Sequence, residues 1–483
     1  MVDVALVTRP AGRAAPPRAR WPLAAVGAVN VALAAAVLFD QVLAVVALAV
    51  AIPVALSVLA RPQRGILLLV AIVPFDGLLL LVDEPGLVPG WKEALTVLTL
   101  AATFVAPRHA RAARMRPRRP GWLPAVIGWV AVGVAPAVAF GGLSGLYGFK
   151  ITYFYLLALW ALWRCPFDAG ERDRLVSVLM VTGFVTAVYG IVQQAMGAEA
   201  LAALGYPYNE TIRFIGSNVR SFSTFVQPFP FAYFLMVVIL VGLAVALDDP
   251  RRARNRVFLL CLPVFAAGIT TPIVRGAWIG LAVGLAYLGF RRYKVLLLIF
   301  PLALVTALLL SGSAAESAFS SQSGVDRTTG WQANLDQVVE SPLGVGIGTT
   351  GATADKVVEL SGTDDEVYNP ANQYFLTLYE LGALGLWWML LLFVGVFLAA
   401  HHASSTLVGE SAALARGTGA MVLAAAAASL VSTYLQIFPM EVLWWVLIGA
   451  VATAVADEQL HPERVSTREA RVVSLGRSRR NLR

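Results

Sequence analysis

The sequence predicts an all-α polytopic membrane protein with about 12–14 transmembrane helices and a large outer-face loop carrying short helices. Three observations predict it. Of the 483 residues, 58% are hydrophobic and only 14% charged, against about 25% in soluble domains, and mean hydropathy is +0.73. Apolar runs of membrane-crossing length follow one another along the whole chain. Arginine-rich loops recur at alternate ends of those runs. The chain therefore reads as a single transmembrane domain over 1–483.

The apolar runs fall near 21–38, 41–60, 65–82, 91–106, 121–140, 145–163, 175–195, 225–247, 257–273, 275–290, 295–311, 373–400, 418–436 and 441–456. Several are short, and one or two of them broken or re-entrant would lower the number to 12. "RPAGRAAPPRAR" ahead of the first run resembles the charged start of a signal peptide. No small-x-small cleavage site follows, and a second run comes at once, so the first run reads as a retained helix. Two segments between runs are long, a first outer loop at 196–224 and a large outer loop at 312–372. The second opens on "SGSAAESAFSSQSG". It then places Trp331, Leu335, Val338 and Val339 at helical spacing, which predicts a short amphipathic helix able to lie on a membrane surface.

A net charge of +8 would suit a nucleic-acid partner, but its distribution excludes one. Arginine gathers in "RPQR", "RHARAARMRPRR", "RCPFDAGERDR", "DDPRRARNR", "RRYK" and a basic tail at 457–483. This is the positive-inside pattern, and it places both termini in the cytoplasm. Of the 37 Lys and Arg, all but seven fall in cytoplasmic segments. The exceptions are Lys92, Lys150, Arg213, Arg220, Arg275, Arg327 and Lys356. The outer face otherwise carries acids such as Asp355, Glu359, Asp364, Asp365 and Glu366, so topology does not explain those cations, and binding of an anion does. His109, His401, His402 and His461 all map to the cytoplasmic side, as does Cys165, while Cys261 falls in the inner half of a span. No disulfide framework and no outer zinc site is expected.

Ionisable residues inside apolar runs are candidates for function. Asp76, in "VPFDGLL" between Pro74 and Gly77, suggests a broken helix, and Lys150 lies in "LYGFKITYFYLL". These two are also candidates to pair with each other. Arg275, in "TTPIVRGAW" between two apolar runs, either snorkels at a helix end or holds an anion.

Three stretches carry a family resemblance. "VRSFSTFVQPFPFAYFL" (219–235), "VRGAW" (274–278), and "DRTTGWQANLDQVVESPLGVGIG" (326–348) followed by "NQYFLTLYELGALGL" (372–386) resemble motifs of the bacterial O-antigen ligases and O-antigen-type polymerases, in the family's order. They cover 213–390. The resemblance implies a membrane glycosyltransferase of the bacterial cytoplasmic membrane with its site facing outward. Its donor would be a glycan on undecaprenyl pyrophosphate, its acceptor another glycan or a lipid-linked one, with membrane lipids around it and neither cofactor nor metal. Arg275, Arg220 and Arg327 would bind the pyrophosphate and stabilise its charge, because a guanidinium bonds phosphate oxygens bidentately and stays protonated. Arg213 and Lys150 would be secondary. Asn372 would orient a sugar or phosphate, and Tyr374 would stack on sugar. Glu380 would bind a cation, cap the arginines or simply pair with one. Gly382 and Gly385 read as a small-residue packing stripe.

One departure matters. The ligases commonly carry a histidine just before the signature asparagine, taken as the base for the acceptor hydroxyl; this chain has Ala371. That favours a polymerase over a ligase and leaves Asp326, Glu366 or another loop acid as the base, or none. Two other classes stay in view. A transporter or flippase of lipid-linked glycans predicts charges along a central cavity and an internal repeat. A scaffolding membrane protein needs no outer arginines.

Overall fold

The computed structural model describes residues 42–81, 90–105, 119–140, 142–208, 211–215, 217–298, 341–362 and 367–460. The chain divides into two compact units, one ending at Ser57 and the other beginning at Val58. The boundary runs through helix α1 (Val42–Ala60), whose residues 42–57 are the described part of the first unit.

Among its described residues the second unit is helical almost throughout. In chain order it contains α2 (Pro62–Ile72), a 3₁₀ helix (Val73–Leu81), α3 (Trp91–Val105), α4 (Leu123–Phe140), α5 (Gly142–Tyr153), α6 (Leu156–Arg164) and α7 (Ala169–Ala203). A two-stranded hairpin follows, β1 (Arg213–Ile215) and β2 (Asn218–Arg220). Then come α8 (Pro228–Ala246), α9 (Ala253–Leu260), α10 (Leu262–Thr270), α11 (Arg275–Arg291), α12 (Gly351–Ser361), α13 (Gln373–Thr406), α14 (Gly409–Ala428), a short 3₁₀ turn (Tyr434–Gln436) and α15 (Met440–Leu460).

The protein is an all-α, multi-pass membrane protein. Among the described residues six helices are long and apolar enough to cross a membrane, or up to eight if each of two bent pairs is one span. The runs expected at 21–38 and, in nearly its whole length, 295–311 lie outside the described residues; the others fall on helices. The runs at 145–163 and 257–273, read from the sequence as single stretches, are each bent, by 45° between α5 and α6 and by 46° between α9 and α10. The second bend has a clear cause. Pro263 lies one residue into α10 and has no N–H to give Leu259, so the helix cannot continue through Cys261. Near Asp76 the chain does not break; it tightens from α-helix to 3₁₀ helix at Val73, and the two together form one span, Pro62–Leu81.

The core is built on α8. Its sequence is apolar on every side, and a helix of that kind is buried on every side; all but one of its residues are buried. α7, α11 and α14 pack on it. α14 is rich in Ala and Gly, and small residues let backbones approach. Gly280 and Gly284 of α11 lie against the Ala424 and Ala420 carbonyls, and Gly417 lies against Val241 of α8.

Loops assigned to one side by their arginines meet at one end of this unit. Asp173 binds Arg252 at 2.7 Å and Arg254 at 2.5 Å, and Glu410 takes the same two arginines at 2.7 and 2.8 Å. Asp248 pairs with Arg416 at 2.5 Å and Arg292 at 3.2 Å. Arg172 pairs with Asp457 at 2.9 Å, both nearly buried. Exposed pairs add little, but removing one partner of a buried pair strands a charge. Asp457→Ala is therefore expected to lower stability by about 3 kcal/mol, read as a lowered unfolding temperature of the detergent-purified protein. Unchanged melting would show that Arg172 does not depend on this carboxylate.

Candidate functional site

The segment expected as a plain loop at 196–224 is built. α7 bends at Gly197, where φ is +78°, and runs on to Ala203. Leu201, Tyr206, Ile212, Val219 and Phe222 then form a small apolar cluster beneath the hairpin. The strands flank a Gly-Ser pair in the sequence, the signal of a two-residue hairpin connection. Their register sets Arg213 opposite Arg220. Side chains opposite each other share a face, and like charges so placed repel.

Both sides of Arg220 are tied down. Its Nε donates to the Pro272 carbonyl at 2.9 Å, and its guanidinium stacks 4.7 Å from the centre of the Phe229 ring. The residues after it, Ser221 to Thr224, are buried and hydrogen-bonded to α7 and to the 3₁₀ helix. Ser221 Oγ donates to Gly190 O, and Ser223 Oγ to Thr186 O, each at 2.7 Å. Gln193 accepts from Ser223 N at 2.6 Å and donates to Ser223 O at 2.8 Å. Thr224 Oγ1 donates to Pro74 O at 2.5 Å.

Arg275 opens α11 from the facing connector. Ser221 N, just past the hairpin, donates to Thr271 O of the connector at 3.2 Å, and Trp278 Nε1 of α11 donates to Ile269 O of α10 at 3.0 Å, closing the connector. Ile273 within it has φ +51°, a costly conformation for a β-branched residue, and it packs against Ile215 of β1 and Trp278. A cation at a helix N-terminus also opposes the helix dipole.

The three arginines feel one another. Burial, then the charges of Arg213 and Arg275, lower the Arg220 guanidinium to about 10, still protonated at neutral pH. The charges of Arg213 and Arg275 both act on Arg220, and a polyanion placed there could bond more than one guanidinium. The structure thus gathers Arg213 and Arg220 of one hairpin with Arg275, which is distant from them in sequence. Arg327 and Asp326 lie outside the described residues.

The other candidates have partners in the protein. Asp76 and Lys150 do not pair with each other. Asp76 binds Lys92 at 2.9 Å and accepts from Trp91 Nε1 at 2.9 Å, while Lys150 pairs with Glu93 at 2.7 Å. Asn372 caps α13: its Oδ1 accepts from Tyr374 N and Phe375 N at 2.9 and 3.2 Å, and its Nδ2 donates to Leu430 O at 3.0 Å. The Tyr374 hydroxyl donates to Ala426 O at 2.8 Å. Glu380 pairs with none of the described arginines. One of its oxygens accepts from Gly348 N at 3.0 Å, Thr350 N at 3.2 Å and Thr350 Oγ1 at 2.9 Å, so it clasps the glycine-rich turn "SPLGVGIGTTG" onto α13. Gly382 does more than pack: α13 breaks there, with φ +64° and ψ −171°.

A cavity of about 190 Å³ lies elsewhere, among Arg119, Trp122, His402, Thr418 and Gln459. It shares α13 and α14 with the charged loops, and none of the three arginines lines it. The chain matches no model of a known protein family and no curated protein.

Proposed function

We propose that the protein is a glycosyltransferase of the bacterial cytoplasmic membrane, acting at the outer face on glycans carried by undecaprenyl pyrophosphate. The observation that carries this reading is the gathering of Arg213, Arg220 and Arg275 at one place, on a stitched hairpin and a helix N-terminus. A lipid pyrophosphate delivers several negative charges at a membrane boundary, and departs with more as the glycosidic bond breaks. Fixed guanidiniums stabilise that developing charge without reorganising. The resemblance of 219–235, 274–278 and 372–386 to O-antigen-type enzymes points to the same substrate class.

The reaction is polymerisation of repeat units. A polymerase holds two lipid-linked substrates and needs cations for both, and Ala371 stands where a ligase carries its histidine. Given lipid-linked repeat units alone, the pure enzyme is expected to produce a ladder of longer lipid-linked glycans. Transfer appearing only after a distinct lipid or protein acceptor is added would make it a ligase instead.

The arginine end faces outward, because the opposite loops hold the basic clusters. Ser361 in α12 and Ser405 near the end of α13 are both exposed on the protein. In intact cells Ser361→Cys is expected to react with a membrane-impermeant thiol reagent and Ser405→Cys only after lysis. External labelling at 405 would reverse the orientation.

A further inference from the structure

A second polar cluster adjoins the arginines. Glu441 stands in the first turn of α15, 4% exposed, and its Oε2 has no hydrogen-bond partner among the described residues. The same holds for the hydroxyl of Tyr155, a residue 6% exposed between α5 and α6, and for Oε2 of Glu93. These groups share one place. The Tyr155 ring packs on Phe438 with centroids 5.8 Å apart, three residues before Glu441. Lys92 Nζ lies 3.9 Å from the centre of the Phe438 ring while it binds Asp76. The Tyr155 hydroxyl is near enough to Glu93, Glu441 and Asp76 to interact with all three charges.

Buried polar atoms without partners are costly, so three together call for a polar occupant. Charge narrows the choice. Among the described residues Asp76 pairs with Lys92 and Glu93 with Lys150, while Glu441 is in no ion pair. Two carboxylate oxygens and a phenol hydroxyl complement a group that donates hydrogen bonds and can give up a proton. A sugar hydroxyl is such a group.

The cluster is joined to the arginine site on two sides. The 3₁₀ helix bearing Asp76 is bonded to the segment after Arg220, with Gly77 N donating to Thr224 O at 3.0 Å. On the other side the Tyr434 ring meets Tyr233 at 5.1 Å. Tyr434 lies within electrostatic reach of Glu441, and Tyr233 within reach of Arg220.

We propose that Glu441, flanked by the Tyr155 hydroxyl and Glu93, accepts the proton of the acceptor glycan's hydroxyl; this rests on the glycosyltransferase reading above. The acceptor oxygen attacks the anomeric carbon and forms the new glycosidic bond. The bond from that carbon to the phosphate oxygen breaks, and its electron pair leaves with the lipid pyrophosphate held by the arginines. The hydroxyl proton passes to the Glu441 carboxylate and from there to water. Tyr155 and Glu93 orient the hydroxyl.

The test uses the full-length protein with lipid-linked glycan extracted from the producing cells, and undecaprenyl pyrophosphate as the binding probe. Glu441→Gln keeps shape and removes the base. It is expected to bind undecaprenyl pyrophosphate like wild type and to transfer at least about 100-fold more slowly. Glu441→Asp should recover part of the rate. Should Glu441→Gln fail to insert, Tyr155→Phe serves: slowed transfer with unchanged probe binding supports the proposal, and a wild-type rate overturns it. Wild-type transfer by Glu441→Gln overturns it while leaving the glycosyltransferase reading intact. No transfer by the wild-type protein overturns both.

Discussion

Arg275→Ala is expected to lower glycan transfer by about 10²–10³-fold while the protein still inserts and melts as wild type does. The expectation follows from where Arg275 stands. It begins α11 beside a connector held to the hairpin end by a backbone bond from Ser221 and closed by the Trp278 indole on Ile269 O of α10, so truncating its side chain leaves those supports in place. What goes, on the proposed reading, is one of three charges that would converge on a pyrophosphate. Arg275→Lys should recover only part of the loss, because an ammonium offers a point charge where a guanidinium offers a planar fork. Arg220→Ala should lose as much transfer but is a less clean probe, since Arg220 Nε also holds the Pro272 carbonyl. Arg213→Ala, on the opposite strand, should do less. The measurement is turnover of lipid-linked glycan by purified variants. Wild-type turnover by both Arg275→Ala and Arg220→Ala would remove the pyrophosphate reading.

The membrane architecture was legible in the sequence because it rests on one strong requirement. A backbone in lipid must satisfy its own hydrogen bonds, so long apolar runs become helices. Charge sorting was legible for a similar reason: the loops "RCPFDAGERDR" and "DDPRRARNR", placed on one side by their arginines, meet through Asp173, Arg252 and Arg254. That Arg213, Arg220 and Arg275 were unexplained by topology could also be read. How they come together could not. It depends on a hairpin register that pairs residues 213 and 220, and on a buried stretch, Ser221 to Thr224, whose bonds run to α7 and to Pro74. The "FIGSNV" stretch did carry a hairpin signal, hidden by the length of the loop around it.

Pairings were the least legible. Asp76 and Lys150 are isolated charges in separate apolar runs, and sequence offers no reason to prefer one partner over another. Each finds its counterion on α3, where Lys92 and Glu93 are adjacent, so neighbouring residues split between two ion pairs. Asn372 is a plain case of local chemistry. An Asn ahead of an apolar helix is a ready N-cap, and its oxygen accepts two backbone N–H groups here. The partners of Glu380 were missed for another reason. Its three donors come from Gly348 and Thr350, thirty or more residues earlier, across a chain segment that sequence shows only as glycine-rich.

Gly382→Ala is expected to destabilise the protein by about 3 kcal/mol or more and to abolish transfer with it. At φ +64° and ψ −171° the residue occupies a region open essentially only to glycine. A methyl group there would also run into the carbonyl of Pro342, which belongs to the glycine-rich turn. That turn approaches α13 so closely because Val345 N donates to Tyr379 O and Gly346 N to Glu380 O, both at 3.0 Å, carbonyls that an unbroken helix would keep for itself. Breaking α13 at Gly382 frees them, and Glu380 then clasps the far side of the turn. The alanine therefore forces either a strained backbone or an undocked turn, and the second outcome releases the segment that leads from the large outer loop into α13. Gly121→Ala is the control, since a Cβ at Gly121 meets nothing. The check is thermal unfolding in detergent alongside turnover. Should Gly382→Ala melt and work as Gly121→Ala does, the break in α13 would not be what docks the turn.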